Sequence, residues 1–233
     1  MGTMFTGFIP LDDKDLQAVG LTLTLAATST TILLILGIPL AWWLAHSRAK
    51  STHLIAAIVT LPVFLPPTVL GFYLLMLMGP QGVIGVLMQR LGLASLPFTF
   101  EGLVVTSVIY SMPFVVQPIC DRFKVIGKST METAATLRVG PLEAFFALVL
   151  PMAKHSILAA AILGFAHTVG EFGVVLMIGG NIPGVTRVLS VQIYDHVEAM
   201  EYDQAHVLAG SMLVFALVSL TLLHRLGRTK TDR

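Results

Sequence analysis

The chain has 233 residues, of which 55% are hydrophobic and 12% are charged, and its mean hydropathy is +0.86. A soluble domain carries about 25% charged residues, so this composition excludes a protein that faces water on all sides. The net charge of +1 is uninformative as a total, while the lone cysteine, Cys120, excludes a disulfide framework and a multi-cysteine metal site. We therefore predict an all-α integral membrane protein in which residues 1–233 form a single transmembrane domain.

Five apolar stretches are long enough to cross a bilayer, which takes about 20 residues of helix. Irregular backbone cannot face lipid, so each stretch is predicted to be helical. The first stretch follows acidic residues rather than the basic residues of a signal peptide, and we interpret it as a retained span. The five stretches cover about Ala18–Ala45, Leu54–Met78, Gly102–Cys120, His155–Ile178 and Gln204–Leu223.

Lys and Arg residues are distributed unequally between the two sides of this topology. When the ends and loops are assigned to alternate sides, eleven of the 14 basic residues fall on one side, and Lys14, Arg90 and Arg187 fall on the other. The positive-inside rule then predicts an external N-terminus and a cytoplasmic C-terminus. The long loop Asp121–Lys154 is accordingly cytoplasmic, and the segment Gly179–Asp203 is external.

The second apolar stretch contains three prolines, Pro62, Pro66 and Pro67, followed by Gly71. Each proline removes a backbone donor and disturbs the helix, which a membrane helix tolerates where neighbours or water satisfy the freed carbonyls. Two interpretations remain open: a helix broken beside a translocation pathway, or a packing helix that is merely kinked. The external segment that follows is predicted to hold a short amphipathic helix at Gly82–Leu91.

A capping box in the long cytoplasmic loop predicts a short helix at the membrane surface. Ser129 as N-cap and Glu132 at the third helical position have the required spacing, and the helix is expected to cover residues 130–138. Ala134 and Ala135 give this helix a small face. That face favours close approach of another protein over a connector that merely lies on the membrane.

A second helix is expected to follow in the same loop. Gly140 stops the first helix, and Pro141 suits the first turn of the next one. The second helix is predicted to end at Leu150 and Pro151, where the chain would turn into the fourth span. The loop over residues 121–154 is therefore predicted to be a helix–turn–helix on the cytoplasmic face.

Glu171 is the one acidic residue deep in a predicted span. A charge at the middle of a bilayer costs about 2.5–3.5 kcal/mol, so this side chain must face protein or water, or carry a proton. We favour a structural role in which Glu171 is hydrogen-bonded to the backbone or to Thr168. His167 lies four residues earlier on the same predicted helix face, a spacing that metal sites use, but no third ligand is evident.

No catalytic site is evident in the sequence. Gly127-Lys128-Ser129 resembles the end of a P-loop, but the glycine required five residues before Gly127 is Arg122, so any ATP must be bound by another chain. The lack of a convergent His, carboxylate or cysteine cluster argues against a membrane enzyme. Four external residues form either a metal site or, in our preferred interpretation, a solvated face for a partner: Asp195, His196, Asp203 and His206.

The cytoplasmic loop resembles the EAA loop of ABC-importer permeases. The family pattern is E-A-A, three residues, G, nine residues, I-x-L-P, and Glu132-Thr133-Ala134, Arg138 and Leu148-Val149-Leu150-Pro151 match its spacing. The departures are Thr133, Arg138 and Leu148, and Gly140 is expected to supply the turn in place of Arg138. The resemblance implies a loop that couples to a cytoplasmic ATPase subunit through Glu132, Thr133, Ala134, Ala135, Arg138, Gly140, Leu150 and Pro151.

Two further segments resemble molybdate-transport permeases. One is the proline-rich stretch 61–71, and the other combines Gly170-Glu171-Phe172-Gly173 with the turn at residues 180–187. Sulfate and tungstate permeases are close relatives with similar segments. The resemblance implies that a pathway or its gate involves the following candidates: Pro62, Pro66, Pro67, Gly71, Gly170, Glu171, Gly173, Thr186 and Arg187.

Together these resemblances imply a type I ABC-importer permease in the inner membrane of a prokaryote. Its substrate is expected to be an oxyanion, most simply molybdate, with tungstate or sulfate/thiosulfate as alternatives. Two identical copies would form the pathway, two ATPase subunits would bind ATP and Mg²⁺, and an external binding protein would deliver the oxyanion. The chain itself would need no cofactor, metal or nucleic acid. A self-sufficient secondary carrier is the competing class, and the docking loop argues against it.

Overall fold

The computed structural model describes residues 11–228 and, within them, all side chains except those of residues 128, 129, 227 and 228. The regular structure of this part of the chain is entirely helical, as predicted. A π-helical turn, Phe145–Val149, joins two of the helices. In chain order the α-helices are α1 (Asp13–His46), α2 (Ser51–Phe64), α3 (Pro67–Met78), α4 (Val83–Arg90), α5 (Phe100–Thr136), α6 (Pro141–Ala144), α7 (Leu150–Val169), α8 (Gly173–Gly179), α9 (Leu189–Glu198) and α10 (Tyr202–Arg228).

Five helical segments of the described chain are long and apolar enough to cross a membrane, which confirms the predicted fold class. The short helix predicted at Gly82–Leu91 is present as α4. The candidate spans are Asp13–His46, Pro67–Arg90, Phe100–Gly127, Pro141–Val169 and Tyr202–Leu226.

The second predicted stretch is broken rather than continuous. Between α2 and α3, Leu65 and Pro66 have ψ angles of 137°, outside the helical range. Neither Pro66 nor Pro67 has an N–H group, so the hydrogen-bond ladder stops here, and Pro67 opens α3 at a position whose N–H would be unpaired in any helix. The structure therefore decides between the two earlier interpretations in favour of a broken helix, and the second span begins only at Pro67.

The fourth predicted stretch is interrupted as well, so the expected helix through Ile178 is wrong. α7 ends at Val169, and the next three residues lead into α8, with Phe172 in a non-helical conformation (φ −126°, ψ −63°). The two interrupted segments are packed together, because a Cβ added to Gly71 of α3 would lie 2.8 Å from Cβ of Met177 in α8. The breaks in the two segments are thereby held beside one another.

The core lies among α1, α5 and α7. Leu25 and Leu33 of α1 and Phe123 of α5 are at most 1% exposed. A Cβ added to Gly164 of α7 would lie 2.6 Å from a methyl group of Val115, so this glycine allows the close approach that membrane helices use in place of a hydrophobic driving force. Many apolar side chains of α10 are exposed, which places this helix at the periphery.

The loop over residues 121–154 has the predicted first helix but departs from its prediction at the second. The non-helical Gly127 (φ 65°, ψ −175°) separates the spanning part of α5, Phe100–Gly127, from a loop helix that ends at Thr136. The predicted N-cap, Ser129, has a side chain outside the described part. The chain does not turn at Leu150 and Pro151: α6, the π turn and α7 follow one another without interruption. A proline inside an α-helix clashes with the carbonyl four residues earlier, and the wider π turn just before Pro151 relieves that clash.

Candidate functional site

The two helix breaks border an open cavity of about 550 Å³. The start of α3, the middle of α5 and the α7–α8 break all contribute to its wall. Four of the predicted pathway residues line it: Pro67, Gly170, Glu171 and Gly173. The glycines are needed here for space, since a Cβ on Gly173 would lie 3.0 Å from Cβ of Pro67. The sequence-derived pathway candidates therefore converge in part on one site.

Three polar side chains of the wall were not predicted as pathway residues. Thr68, Tyr110 and His167 line the same cavity. Thr68 directly follows the proline pair noted in the sequence, so the same pattern could have predicted Thr68 as a residue of the wall. No sequence pattern indicated Tyr110, because its place in the wall depends on the packing of α5 against α7.

His167 is held in place by a hydroxyl group and an aromatic ring. Its Nδ1 lies 2.8 Å from Oγ of Ser111, which in turn lies 3.0 Å from Oγ1 of Thr168. The imidazole ring stacks on Phe114 with the ring centroids 3.9 Å apart. Nε2 has no hydrogen-bond partner among the described residues. The ring is thus fixed on one side and presents its other nitrogen without a protein partner.

Glu171 is 3% exposed and lies between the end of α7 and the start of α8. The hydroxyl of Ser107 donates to its Oε2 at 2.9 Å. Its Oε1 is buried without a hydrogen-bond partner in the described part of the chain. The expected bond to Thr168 is wrong for the side chain, because the Thr168 hydroxyl pairs with Ser111 instead. The expected helical spacing of His167 and Glu171 is lost too, since α7 ends between them.

The remaining pathway candidates lie away from the cavity wall. Pro62 is buried within α2. Pro66 lies one residue before Pro67, where the cavity wall begins, and Gly71 packs against Met177. Thr186 is 1% exposed, and its hydroxyl donates to the carbonyl of Gly179 at 2.7 Å. These residues support the architecture around the breaks rather than face the cavity.

Arg187 braces the turn at residues 180–187 through contacts within the chain. Its Nε donates to Oδ1 of Asn181 at 2.6 Å, and its NH1 group lies 3.3 Å from a carboxylate oxygen of Asp195 in α9. The Arg187 side chain is 19% exposed, and its charge is paired within the chain with Asp195.

Asp195 and His196, two of the four residues predicted to form a metal site or a partner face, have separate partners. His196 lies 2.8 Å from Asp15 at the start of α1 and 2.7 Å from Glu201, whereas Asp195 pairs with Arg187. Burial alone would lower the pKa of His196, but its hydrogen bonds to the two carboxylates raise the pKa overall. Among the described residues no group of three or more His, Cys, Asp or Glu is placed to hold a metal. The cluster ties α9 and the start of α10 to α1.

The first loop helix ends in a Schellman motif centred on Arg138. The N–H of Val139 donates to the carbonyl of Ala134 at 3.0 Å, and the N–H of Arg138 donates to Ala135 at 3.0 Å. Arg138 has φ 59°, whereas Gly140 has φ −64°. The expectation that Gly140 supplies the turn is wrong. Arg138 itself takes the left-handed conformation at the position where the family pattern has glycine.

The two alanines of the loop have different surroundings. Ala134 is 1% exposed and packs within this chain, while Ala135 is exposed. Of the small face that was expected to contact a partner, only Ala135 therefore lies on the surface, while Ala134 makes contacts inside the chain. Two large apolar side chains that follow the alanines in the loop are strongly exposed, Leu137 at 72% and Leu142 at 75%.

The five candidate spans, the two facing helix breaks around a cavity and the exposed helical loop define an integral-membrane subunit of a solute transporter. The chain belongs to the family described as binding-protein-dependent transport system inner membrane component, whose model matches residues 37–228. It is a permease subunit of the ABC-importer class and not an enzyme. The resemblance first seen in the cytoplasmic loop is thereby confirmed.

Comparison with individual proteins shows which permeases this chain is similar to. The chain is 59% identical over 222 residues to the molybdenum transport system permease protein ModB of Azotobacter vinelandii, covering 95% of this chain and 98% of that protein. It is 29% identical over 229 residues to the sulfate transport system permease protein CysW of Synechococcus elongatus, covering 96% and 80%. A solved bacterial ABC transporter that imports the polysaccharide alginate shares the fold, with a TM-score of 0.73, 18% identity and coverage of 97% and 85%.

Proposed function

We propose that this chain is the permease through which an ATP-driven importer carries molybdate across the inner membrane. The observation that carries the substrate assignment is the 59% identity to a molybdenum transport permease along nearly the full length of both chains. The sulfate permease relative, at 29% identity, keeps sulfate as the second candidate. Tungstate shares the tetrahedral oxyanion chemistry and competes for the same assignment.

The cavity at the two helix breaks is the part of the proposed pathway that this chain supplies. Its open side requires a second wall, and large apolar side chains stand exposed on α2 and α3, with Phe64 at 82% and Tyr73 at 60%. A second copy of the chain packed on this face would cover them and close the pathway. The proposed assembly is therefore a homodimer with one half of the pathway in each copy.

Two ATPase subunits would bind the exposed loops of the dimer, and an external protein would deliver the oxyanion. ATP and Mg²⁺ belong to the ATPase subunits in this proposal, so this chain needs no cofactor of its own. Closure of the ATPases on ATP would push the loops, and the continuous helix from Pro141 to Val169 would transmit that movement to the α7–α8 break. The cavity would thereby open alternately to each side.

The proposed orientation has the loop and C-terminus in the cytoplasm and α9 outside, following the positive-inside rule. Leu142 and Val185 are exposed on the two predicted sides, at 75% and 44%. Single cysteines at these positions, in a Cys120→Ala background, should react with an impermeant thiol reagent from opposite sides of the membrane. Reaction of both from the same side would contradict the orientation.

Uptake measurements test the substrate. Cells that lack this chain should lose high-affinity uptake of radiolabelled molybdate, and excess molybdate in the medium should restore molybdenum-dependent growth through weaker routes. Sulfate uptake in the same cells is the matched control and should be unaffected. Loss of sulfate uptake with normal molybdate uptake would overturn the molybdate assignment and leave the sulfate permease as the function.

A further inference from the structure

A hydrogen-bonded cluster joins α9 to the start of α1. Nε2 of His196 lies 2.8 Å from Oδ1 of Asp15, and Nδ1 lies 2.7 Å from Oε2 of Glu201, which stands between α9 and α10. The side chain of Asp15 is 0% exposed and that of His196 is 11% exposed, whereas that of Glu201 is 51% exposed. Both nitrogens of one largely buried imidazole therefore face carboxylate oxygens.

The carboxylate of Asp15 accepts three hydrogen bonds within the described chain. Oδ1 accepts from His196 at 2.8 Å and from the Nε2 amide of Gln192 at 2.8 Å, and Oδ2 accepts from the backbone N–H of Asp12 at 3.1 Å. The two nitrogens that share Oδ1 lie 3.1 Å apart. Donors on both oxygens suit an ionised carboxylate, which offers only acceptors. A neutral imidazole has one N–H group and can donate to Asp15 or to Glu201, whereas the imidazolium donates to both.

The charges around the ring favour its protonated form. Asp15 of α1 and Glu201 act on it directly, while Arg187, whose charge has its own carboxylate partner, reaches the cluster through Oε1 of Gln192 at 3.4 Å. Burial lowers the pKa of His196, but the hydrogen bonds to the two carboxylates outweigh burial and raise the pKa above its ordinary value of 6.5. The stability that these bonds contribute is therefore complete below pH 6.5 and is lost as the pH rises through the raised pKa.

α9 also contacts the α7–α8 break that borders the cavity. The hydroxyl of Ser190, in the first turn of α9, donates to the backbone carbonyl of Glu171 at 2.5 Å. The ring centroid of Tyr194, further along the same helix, lies 5.3 Å from that of Phe172. Glu171 and Phe172 both line the cavity. The position of α9 therefore affects the backbone that shapes the cavity wall.

The two ends of α9 are attached to α1 in different ways. At the first turn, the backbone N–H of Leu189 donates to the hydroxyl of Thr22 at 2.7 Å, and neither group titrates near neutral pH. The last turn carries His196, whose two hydrogen bonds require its second proton. Loss of that proton would release the last turn from one of its carboxylates while the first turn stays attached to α1.

We propose that protonated His196 is a positioning residue for import: it fastens α9 to α1 and thereby holds the α7–α8 break in the shape that transport requires. The inference rests on the proposed function and deepens it. His196 does not line the cavity, so it acts through α9 and not on the solute. In the proposed orientation the cluster lies outside, and alkaline external pH should therefore slow import.

Two substitutions change the cluster in different ways, and uptake of radiolabelled molybdate from about pH 6.5 to about pH 9 measures their effects. Glu201→Gln removes one charge from an exposed side chain and leaves Asp15 in place, so the alkaline loss of uptake should begin at a lower pH than in the parental chain. His196→Gln removes the titrating ring. Its uptake should be at least about 3-fold below the parental value at the acidic end, because a charged hydrogen bond is lost, and should then stay nearly constant.

His53→Gln is the matched control. It makes the same chemical change as His196→Gln on an exposed residue of α2 outside the cluster, and it should keep the parental uptake profile.

Thermal unfolding of the purified permease in detergent, across the same pH range, reports the fastening without import. The melting temperature of the parental chain should fall as the pH rises, and that fall should begin at a lower pH for Glu201→Gln. Identical pH profiles of uptake and melting for the parental chain and both variants would overturn the proposal. A shifted melting profile with a parental uptake profile would also overturn it, by showing that the bonds stabilise the fold without positioning the break.

Failure of the proposed function is distinguishable from failure of this role. If the parental chain imports no molybdate at any pH, the proposed function fails, and the import role of His196 fails with it. If the parental chain imports molybdate and Glu201→Gln follows the parental uptake profile, only the role of His196 fails.

Discussion

A single backbone conformation shapes the end of the loop helix. Arg138 occupies the left-handed region at φ 59°, where a side chain costs about 1–2 kcal/mol relative to the right-handed conformation. The Schellman bonds of Val139 and Arg138 hold it there. Glycine takes this conformation without the steric cost, so the loop carries local strain at a position that faces solvent.

Arg138→Gly should therefore stabilise the purified permease. We expect a gain of about 1 kcal/mol, reduced by the greater freedom of glycine in the unfolded chain. Thermal unfolding in detergent, followed by circular dichroism, measures the change. Gly140→Ala is the control, because Gly140 has φ −64° and open space around its Cβ direction, so its stability should change little. A lower melting temperature for Arg138→Gly would show that the guanidinium makes a stabilising contact.

At the scale of helices, α3 and α8 form a closely packed pair on one side of the two breaks. A Cβ on Gly71 would lie 2.8 Å from Cβ of Met177 and 3.3 Å from Cα of Val174. The second of these contacts is to backbone, which cannot rotate away. Cβ atoms in real structures do not approach to 2.8 Å, so even a methyl group must push the helices apart. Because both helices begin at the cavity, their separation would reshape its wall.

Gly71→Ala should accordingly destabilise the permease by about 1–3 kcal/mol, the range for overpacking in a closely fitted interior, and reduce molybdate uptake. Gly20→Ala in α1 is the matched control, because a Cβ there meets nothing within 4 Å and alanine favours a helix by about 1 kcal/mol over glycine. Melting temperature and uptake should be measured together for both variants. Equal behaviour of the two alanines would show that α3 and α8 adjust freely.

At the scale of the whole assembly, a mutation that tests the loop must change a residue on its surface and not one buried inside the chain. Ala134 is buried within the chain, so a charge placed there would damage the permease itself and would say nothing about its partner. Leu137, at 72% exposure, offers a cleaner probe. Its side chain contributes little to the fold of this chain, and a partner subunit would cover it.

Leu137→Glu should leave the permease inserted and folded but weaken its association with the ATPase. A charge buried against a partner without a counter-charge costs several kcal/mol, and each 1.4 kcal/mol changes an affinity by about 10-fold. The measurement is the amount of ATPase that copurifies with the permease, together with molybdate uptake. Leu137→Met keeps the apolar surface and should retain both. Normal copurification and uptake by Leu137→Glu would remove the loop from the coupling mechanism.

Local sequence patterns were sufficient to predict the class of the protein and many of its helices. Runs of about 20 apolar residues admit only helices in lipid, and the spacing of the loop residues from Glu132 to Pro151 carried the family resemblance. The prolines of the second stretch indicated a disturbed helix because an imino acid lacks a donor wherever it stands, but a break and a kink both remained open. These inferences required no contact between distant parts of the chain.

The site depended on contacts that sequence spacing does not report. Ser107 reaches Glu171 across 64 positions of the chain, and Ser111 reaches His167 across 56. Which hydroxyl meets which partner follows from the rotation of α5 against α7, and that rotation is set by side-chain packing along both helices. Thr186 and Arg187 were expected in the pathway. In the same packing Thr186 makes a hydrogen bond and Arg187 makes an ion pair within the chain. The packing also buried Oε1 of Glu171 without a hydrogen-bond partner in the described part of the chain.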